Sequence, residues 1–173
     1  MDAPEASSFH GQFVALFEAQ FPRLFRYLDR LSGEPDLAAD VAQETFVRLY
    51  RKGTLPDKPE AWLISVAMNL FRNVKSSRSR RGRLLTEARS QGVLADPPPS
   101  PEQAALAEES RRRVRTAIDR LPEREGRLLL LRAEGYSYRD IAVALDLSEA
   151  SVGTLLARAR KAFRKCYEDS SAS

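Results

Sequence analysis

Residues 121–165 read LPEREGRLLLLRAEGYSYRDIAVALDLSEASVGTLLARARKAFRK, and they carry the clearest structural pattern in the chain. Ser137 and Ser148 are each suited to cap the start of a helix, because a serine hydroxyl can accept a hydrogen bond from a first-turn N–H. Asp146 and Leu147 leave room only for a tight turn between the two helices. Two capped helices joined by so short a turn predict a helix-turn-helix.

The second of these helices has an apolar face and an outward face. The apolar residues recur at helical spacing and predict a stripe that rests on the first helix: Val152, Leu155, Leu156, Ala159 and Phe163. In a helix-turn-helix, the opposite face turns to the DNA major groove, where small side chains approach base edges and basic ones reach phosphates. That face consists of Ala150, Thr154, Arg158, Lys161 and Lys165. The alternative interpretation is a solvated basic helix end, favoured by the helix dipole.

A second basic stretch follows a predicted helix in the N-terminal half. This helix starts at Pro59, and its predicted core stripe is Trp62, Leu63, Val66, Ala67, Leu70 and Val74. Residues 69–83, NLFRNVKSSRSRRGR, contain six Lys or Arg and no acidic residue, which indicates a phosphate-contacting surface, although linkers also carry such runs. Trp62 and Phe71 could stack on exposed bases of opened DNA. For Trp62 packing in the core is favoured, and for Phe71 both interpretations stay open.

The third feature is the acidic helix DLAADVAQETFVRLY, residues 36–50. Asp36, Asp40 and Glu44 follow the spacing i, i+4, i+8 and therefore lie in line on one helix face. Neither a His nor a third-ligand cluster accompanies them, and the chain has no glycine-rich phosphate loop, so we expect no catalysis, metal or cofactor here. A docking face for a basic partner fits the carboxylates better.

The rest of the chain predicts helices and one linker. Apolar spacing from Phe13 to Leu31 predicts two short helices that are separated at Pro22. Pro35 and Gly53 suit the start and the stop of the acidic helix. No alternating β-branched run occurs, so we expect an all-α fold without a sheet. The prolines of ADPPPSP place a linker at residues 84–105, between helical domains at residues 1–83 and 106–173.

Composition limits the classes of protein to which this chain can belong. The 173 residues carry 28 Lys and Arg against 24 Asp and Glu, a formal excess of only +4. One Cys, Cys166, excludes an internal disulfide framework, and one His, His10, leaves too few ligands for structural zinc. No apolar run approaches the roughly 20 residues that span a bilayer, and the N-terminus lacks a secretion signal. We expect a soluble cytoplasmic protein.

At these three features the chain resembles the extracytoplasmic-function (ECF) class of bacterial RNA polymerase sigma factors. AADVAQETFVRLY resembles the polymerase-docking helix of that class, and EAWLISVAMNLFRNVKSSRSRR resembles its minus-ten promoter helix. Residues 121–165 resemble its minus-thirty-five recognition domain. The resemblance implies a helical bundle like sigma region two and a helix-turn-helix domain like sigma region four. It also implies core RNA polymerase and promoter DNA as partners, an anti-sigma factor as a further candidate partner, and a monomer when free.

The resemblance also implies roles for individual residues. Those that match the polymerase-docking part are Asp40, Gln43, Glu44, Phe46 and Val47. Those that match the capture of the melted minus-ten strand are Asn69, Arg72, Lys75, Arg78, Arg80 and Arg81. Those that match the minus-thirty-five reader are Ser148, Glu149, Ala150, Ser151, Thr154, Arg158 and Lys161.

The chain departs from the family pattern within its reader helix. Where the family commonly has Lys, Ser and Arg, this chain has Gly153, Thr154 and Leu155, so promoter contacts at these positions do not carry over. Asn73 and Ser76 likewise replace an Asp and an Arg. Gly153 should cost about 1 kcal/mol of helix stability relative to Ala.

Two rival functions remain from the sequence. A stand-alone helix-turn-helix regulator would dimerise and bind operators without polymerase. A sigma mimic would bind an anti-sigma protein and would not bind DNA. The departures from the family pattern at Gly153 and Leu155 motivate this alternative. The docking helix and the N-terminal basic stretch argue against the first, and the lack of room for a signalling domain argues against the second.

Overall fold

The computed structural model of the chain describes residues 8–81, 100–170 and 172. These residues form seven α-helices and no strand, in two compact units, Met1–Arg89 and Ser90–Ser173. The predicted all-α fold with two small helical domains is therefore confirmed.

The N-terminal unit contains α1 (Phe9–Ser32), α2 (Pro35–Lys52) and α3 (Pro59–Arg81). Both α1 and α3 pack on α2, which provides the longest buried stripe. The buried residues of α2 are Leu37, Ala38, Val41, Ala42, Thr45, Phe46 and Leu49. The predicted bounds of α2 are confirmed, because Pro35 occupies the first turn and Gly53 ends the helix with φ of 75°.

The predicted break at Pro22 was wrong, because α1 continues through this residue. An internal proline removes one backbone donor and crowds the preceding turn, which costs about 3 kcal/mol. Side chains on both sides of Pro22 pack in the same unit: the ring of Phe17 contacts Phe46 of α2, while Leu24 and Leu28 are fully buried. This packing holds the two halves of α1 in line.

The predicted core stripe of α3 is confirmed only in part. Its buried members are Leu63, Ala67 and Leu70, and its half-buried members are Trp62, Val66 and Val74. Ile64, Met68 and Phe71, which lie outside the predicted stripe, are buried as well, since α3 contacts both other helices and covers a wider face. The Tyr27 hydroxyl of α1 donates to Met68 Sδ at 3.3 Å within this core.

The C-terminal unit contains α4 (Pro101–Asp119), α5 (Glu123–Ala133), α6 (Tyr138–Leu145) and α7 (Glu149–Asp169). Its core is formed by Ala117, Leu121, Leu128, Leu130, Leu131, Tyr136, Ile141, Ala142, Val152, Leu156 and Ala159. Leu155 and Phe163, which the apolar stripe of α7 placed inward, are only half-buried.

Residues 101–105 were assigned to the linker, but they form the start of α4. Ser100 Oγ accepts a hydrogen bond from the Gln103 N–H at 3.3 Å, and Pro101 stands at the first helical position, where the missing N–H has no intrahelical role. The other part of the proposed linker, residues 84–99, lies outside the described residues.

Candidate DNA-binding and docking surfaces

The predicted helix-turn-helix is formed by α6 and α7. Ser137 Oγ accepts a hydrogen bond from the Asp140 N–H at 3.1 Å and donates to the Asp140 carboxylate at 2.7 Å, which closes the start of α6. Asp146 adopts a left-handed conformation with φ of 55°, and the Leu147 N–H donates to the Ala142 carbonyl at 2.8 Å. This turn directs the chain into α7, which packs on α6.

Ser148 stands at the predicted start of α7, but its side chain caps no backbone group. Its hydroxyl instead contacts the Ser151 hydroxyl, which also donates to the Ser148 carbonyl at 3.2 Å. The capping prediction is therefore right for Ser137 and wrong for Ser148.

The structure brings the predicted minus-thirty-five residues together on the outward side of α7. Ser151 is half-buried, and the exposed residues are Ser148, Glu149, Ala150, Thr154, Arg158 and Lys161. Within the described part of the chain, Arg158 and Lys161 form no ion pair, whereas Arg111, Arg115 and Arg127 pair with acidic residues on their own helices. The positive charge of α7 is thus available to a polyanion.

Gly153 faces an aromatic ring rather than open solvent. A Cβ built on Gly153 would lie 3.5 Å from Cε2 of Tyr138 in α6, which is an ordinary van der Waals contact. Gly153→Ala is therefore expected to fit and to raise the free energy of unfolding by up to about 1 kcal/mol, because alanine is the better helix former. Thermal unfolding followed by far-UV circular dichroism measures this change. A lower melting temperature would mean that the Tyr138 ring cannot accommodate a methyl group.

The polar face predicted on α3 is also present. Asn69, Arg72 and Lys75 are exposed, and Arg72 forms no ion pair among the described residues. The Lys75 ammonium lies 5.1 Å from the centroid of the Phe71 ring. Phe71 itself is 2% exposed, so it belongs to the core and offers no platform for a base. The side chains of Arg78, Arg80 and Arg81 lie outside the described residues.

The acidic face of α2 is accessible along most of its length. Asp36 and Asp40 are exposed, and Glu44 is half-buried, with its carboxylate 3.2 Å from Arg48 Nε. Gln43 and Val47 are exposed beside this line. Four of the five predicted docking residues therefore reach the surface.

Phe46 is the exception among the predicted docking residues. It is 2% exposed, and its ring lies 5.0 Å from Phe17, 5.9 Å from Phe21 and 6.2 Å from Phe13 between ring centroids. Phe46 is a core residue because α1 covers it, and it supports the surface residues around it instead of projecting from the surface.

A shallow groove lies between α1 and α2, above Phe46. It is lined by Phe13, Phe17, Gln43, Phe46, Val47, Tyr50 and Arg51. Phe17 and Val47 are each about two-fifths exposed, and Tyr50 is half exposed. Sequence reasoning missed Phe13 and Phe17 as surface residues, since their i, i+4 spacing indicated only a core stripe. The groove thus places apolar side chains next to the acidic face of α2.

The described residues contain no group of three or more His, Cys, Asp or Glu that could hold a metal ion. Among the same residues, no helix is long and apolar enough to cross a membrane.

Comparisons with known proteins identify both units. Residues 16–81 match the family described as Sigma-70 region 2, and residues 111–163 match Sigma-70, region 4. The chain is 32% identical to the ECF RNA polymerase sigma factor SigE of Mycolicibacterium smegmatis, over 82% of this chain and 56% of that protein. It is 35% identical to the ECF RNA polymerase sigma factor EcfG of Rhodopseudomonas palustris, over 85% of this chain and 78% of that protein.

A solved structure shares the fold. The sigma factor RpoE of Bartonella quintana, crystallised in complex with the anti-sigma factor NepR, superposes with a TM-score of 0.65 at 19% identity, over 91% of this chain and 97% of that chain. The chain spans only about half the length of the mycobacterial SigE that it matches. With both sigma regions present in order and 35% identity to a relative matched over most of its length, the chain belongs to the ECF family of RNA polymerase sigma factors.

Proposed function

We propose that this chain binds core RNA polymerase and directs it to specific promoters, without catalysing a reaction of its own. The observation that carries this proposal is that one chain presents three such surfaces. They are an acidic and apolar face on α2, a polar and basic face on α3, and a helix-turn-helix whose exposed Arg158 and Lys161 form no ion pair with the residues that the structure describes. A stand-alone operator-binding protein would need only the last of these surfaces.

Each surface has its own role in the proposal. The α2 face, with Asp40, Gln43, Glu44 and Val47, docks on the polymerase, where carboxylates complement a basic partner. The α3 face, with Asn69, Arg72 and Lys75, holds the melted minus-ten strand through phosphate contacts and hydrogen bonds. The exposed side of α7 reads the minus-thirty-five element from the major groove.

An anti-sigma factor is a further proposed partner. The support is the fold shared with a sigma factor that was crystallised with its anti-sigma factor. The apolar groove above Phe46 and the acidic α2 face are surfaces that such a protein could cover, which would exclude polymerase from the same residues.

Run-off transcription with purified core polymerase, this protein and DNA from upstream of its own gene tests the proposal. We expect a discrete transcript that requires both the protein and the core enzyme, with core enzyme alone as the control. No transcript, together with dimerisation and salt-sensitive binding to the same DNA without core enzyme, would instead identify a stand-alone regulator.

A further inference from the structure

Ser76 lies on the face of α3 that is proposed to hold the melted minus-ten strand. Asn69, Arg72 and Ser76 follow the spacing i, i+3, i+7, which puts the three side chains in line on one side of the helix. Ser76 is exposed, and its hydroxyl forms no hydrogen bond with the residues that the structure describes. The chain departs from the family pattern here, since an Arg is common at this position. This face of α3 therefore carries an exposed hydroxyl in line with its basic residues.

Arg72 is the cation beside this hydroxyl. It precedes Ser76 by four residues, so the two side chains are neighbours on the helix surface, with Cβ atoms about 6 Å apart. Arg72 is exposed and forms no ion pair among the described residues. The Lys75 ammonium instead lies 5.1 Å from the centroid of the buried Phe71 ring. An anion on Ser76 would therefore have Arg72 as its partner.

The last turns of α3 are accessible to a modifying enzyme. Phe71 is the last buried side chain of α3 in the part that the structure describes, and residues 72–77 are exposed apart from the half-buried Val74. Helix turns that bury so few apolar contacts open locally at low cost. The sequence of residues 73–81, NVKSSRSRR, carries only basic charges, which complements an enzyme with an acidic substrate site.

We propose that a protein kinase phosphorylates Ser76, and that the phosphate pairs with Arg72 and prevents α3 from holding the melted strand. The inference rests on the proposed function, since it requires that this face binds DNA. In the reaction, Ser76 Oγ bonds to the γ-phosphorus of a nucleoside triphosphate, and the bond from this phosphorus to the β-phosphate oxygen breaks. The nucleoside diphosphate leaves, and the hydroxyl proton passes to a carboxylate of the kinase.

The phosphate weakens strand binding in two ways. It carries a charge of about −1.5 to −2 at pH 7, so it repels the phosphates of the strand. It also accepts charge-assisted hydrogen bonds from Arg72, which removes this guanidinium from the strand. A phosphoserine thus takes the place of a DNA phosphate beside Arg72.

The first experiment compares the unmodified full-length protein with protein in which phosphoserine is installed at Ser76 during translation, each bound to core polymerase. The probe is a fluorescent single strand that covers the minus-ten element mapped by run-off transcription, and anisotropy gives the affinity over a series of salt concentrations. We expect the phosphate to lower the affinity at least roughly 10-fold and the slope of log affinity against log salt by about 0.7 or more, the value for one lost contact to single-stranded DNA. Phosphatase treatment of the same sample should restore both, which excludes misfolding.

Phosphoserine installed at Ser77 is the matched control. Ser77 is also exposed, but it lies about 100° further round α3, so it adds the same charge outside the line of Asn69 and Arg72. We expect it to lower the affinity no more than about 3-fold, because salt screens charges that lie away from the contact. Equal losses for the two phosphoserines would overturn the proposal, since net charge and not this position would then determine strand binding.

Arg72→Ala tests the partner of the phosphate. In this background the phosphate on Ser76 has no guanidinium to remove from the strand, so it should lower the affinity by a smaller factor than it does with Arg72 present. The same factor in both backgrounds would overturn the pairing between the phosphate and Arg72.

Mass spectrometry of the chain isolated from the cells that produce it tests whether the modification occurs. Chymotrypsin cuts after Phe71 and Leu84 and releases a peptide that contains Ser76, Ser77 and Ser79, and fragment ions assign a phosphate to one of the three. We expect phosphate on Ser76 either in growing or in starved cells. Its absence from both, or phosphate on Ser77 or Ser79 alone, would overturn the proposal.

Run-off transcription separates this proposal from the proposed function. We expect the unmodified protein to direct a transcript and the protein with phosphate on Ser76 to lose it. No transcript with the unmodified protein contradicts the proposed function. A transcript that persists with phosphate on Ser76, together with unchanged strand binding, contradicts only the role of Ser76.

Discussion

Phe46→Ala is expected to destabilise the N-terminal unit by about 3–5 kcal/mol, as large aromatic-to-alanine changes do in packed cores. The Phe46 ring is buried and contacts three phenylalanines of α1. Its removal leaves a cavity that a helix constrained at Pro22 cannot easily close. Trp62 is the single tryptophan of the chain and lies half-buried in α3, so its fluorescence in a urea titration reports on this unit alone.

Val47→Ala is the matched control for Phe46→Ala. Val47 follows Phe46 on α2 but is 40% exposed, so its truncation should change the free energy of unfolding by no more than about 0.5 kcal/mol. If Phe46→Ala left the urea midpoint unchanged and reduced only the affinity for core polymerase, Phe46 would be a docking residue after all. We expect the opposite result, because Phe46 is buried against the phenylalanines of α1.

Glu44→Lys is expected to lower the affinity for core polymerase by at least roughly 10-fold, because attraction to a basic docking partner becomes repulsion. The cost to folding should be small. Among the described residues, Glu44 pairs with Arg48 one turn away. Its side chain is 43% exposed, and surface pairs of this type contribute about 0.3–0.5 kcal/mol. Equilibrium binding of the labelled protein to core enzyme measures the affinity, and the urea titration shows that the variant is folded.

Glu109→Lys provides the same change of charge on the exposed side of α4. It should leave the affinity for core enzyme unchanged, because it changes the net charge of the chain by the same amount but leaves the acidic face of α2 intact. An unchanged affinity of Glu44→Lys would remove the acidic face of α2 from the docking surface. Equal losses for both variants would mean that net charge, and not this face, determines binding.

Local backbone signals predicted most helix ends correctly. Pro35 and Gly53 bound α2, Ser137 caps α6, and Asp146 makes the turn before α7. These signals act within one turn of the helix end, through a fixed φ angle or one side-chain hydrogen bond, so they can be read from a few adjacent residues. Ser148 shows the limit, since it stands at the start of α7 but its side chain caps no backbone group.

Residues at the edges of helix faces were harder to place. Phe46 and Phe71 stand beside polar residues in the sequence and could have been surface aromatics, but both are buried. Conversely, Phe17 follows the spacing of a core stripe and is 38% exposed in the groove between α1 and α2. Periodicity defines the centre of an apolar stripe better than its width.

Three properties could be predicted from the sequence alone: that this chain is helical, that it contains a helix-turn-helix, and which residues carry the charge of each face. These properties depend on local propensity and on spacing within single helices. The three-dimensional structure was needed to show that α1 continues through Pro22 and that Phe46 is buried under α1 instead of projecting from the surface. Each of these features depends on which helix packs against which. The packing involves contacts between residues far apart in the chain, and the spacing of residues within one helix does not predict such contacts.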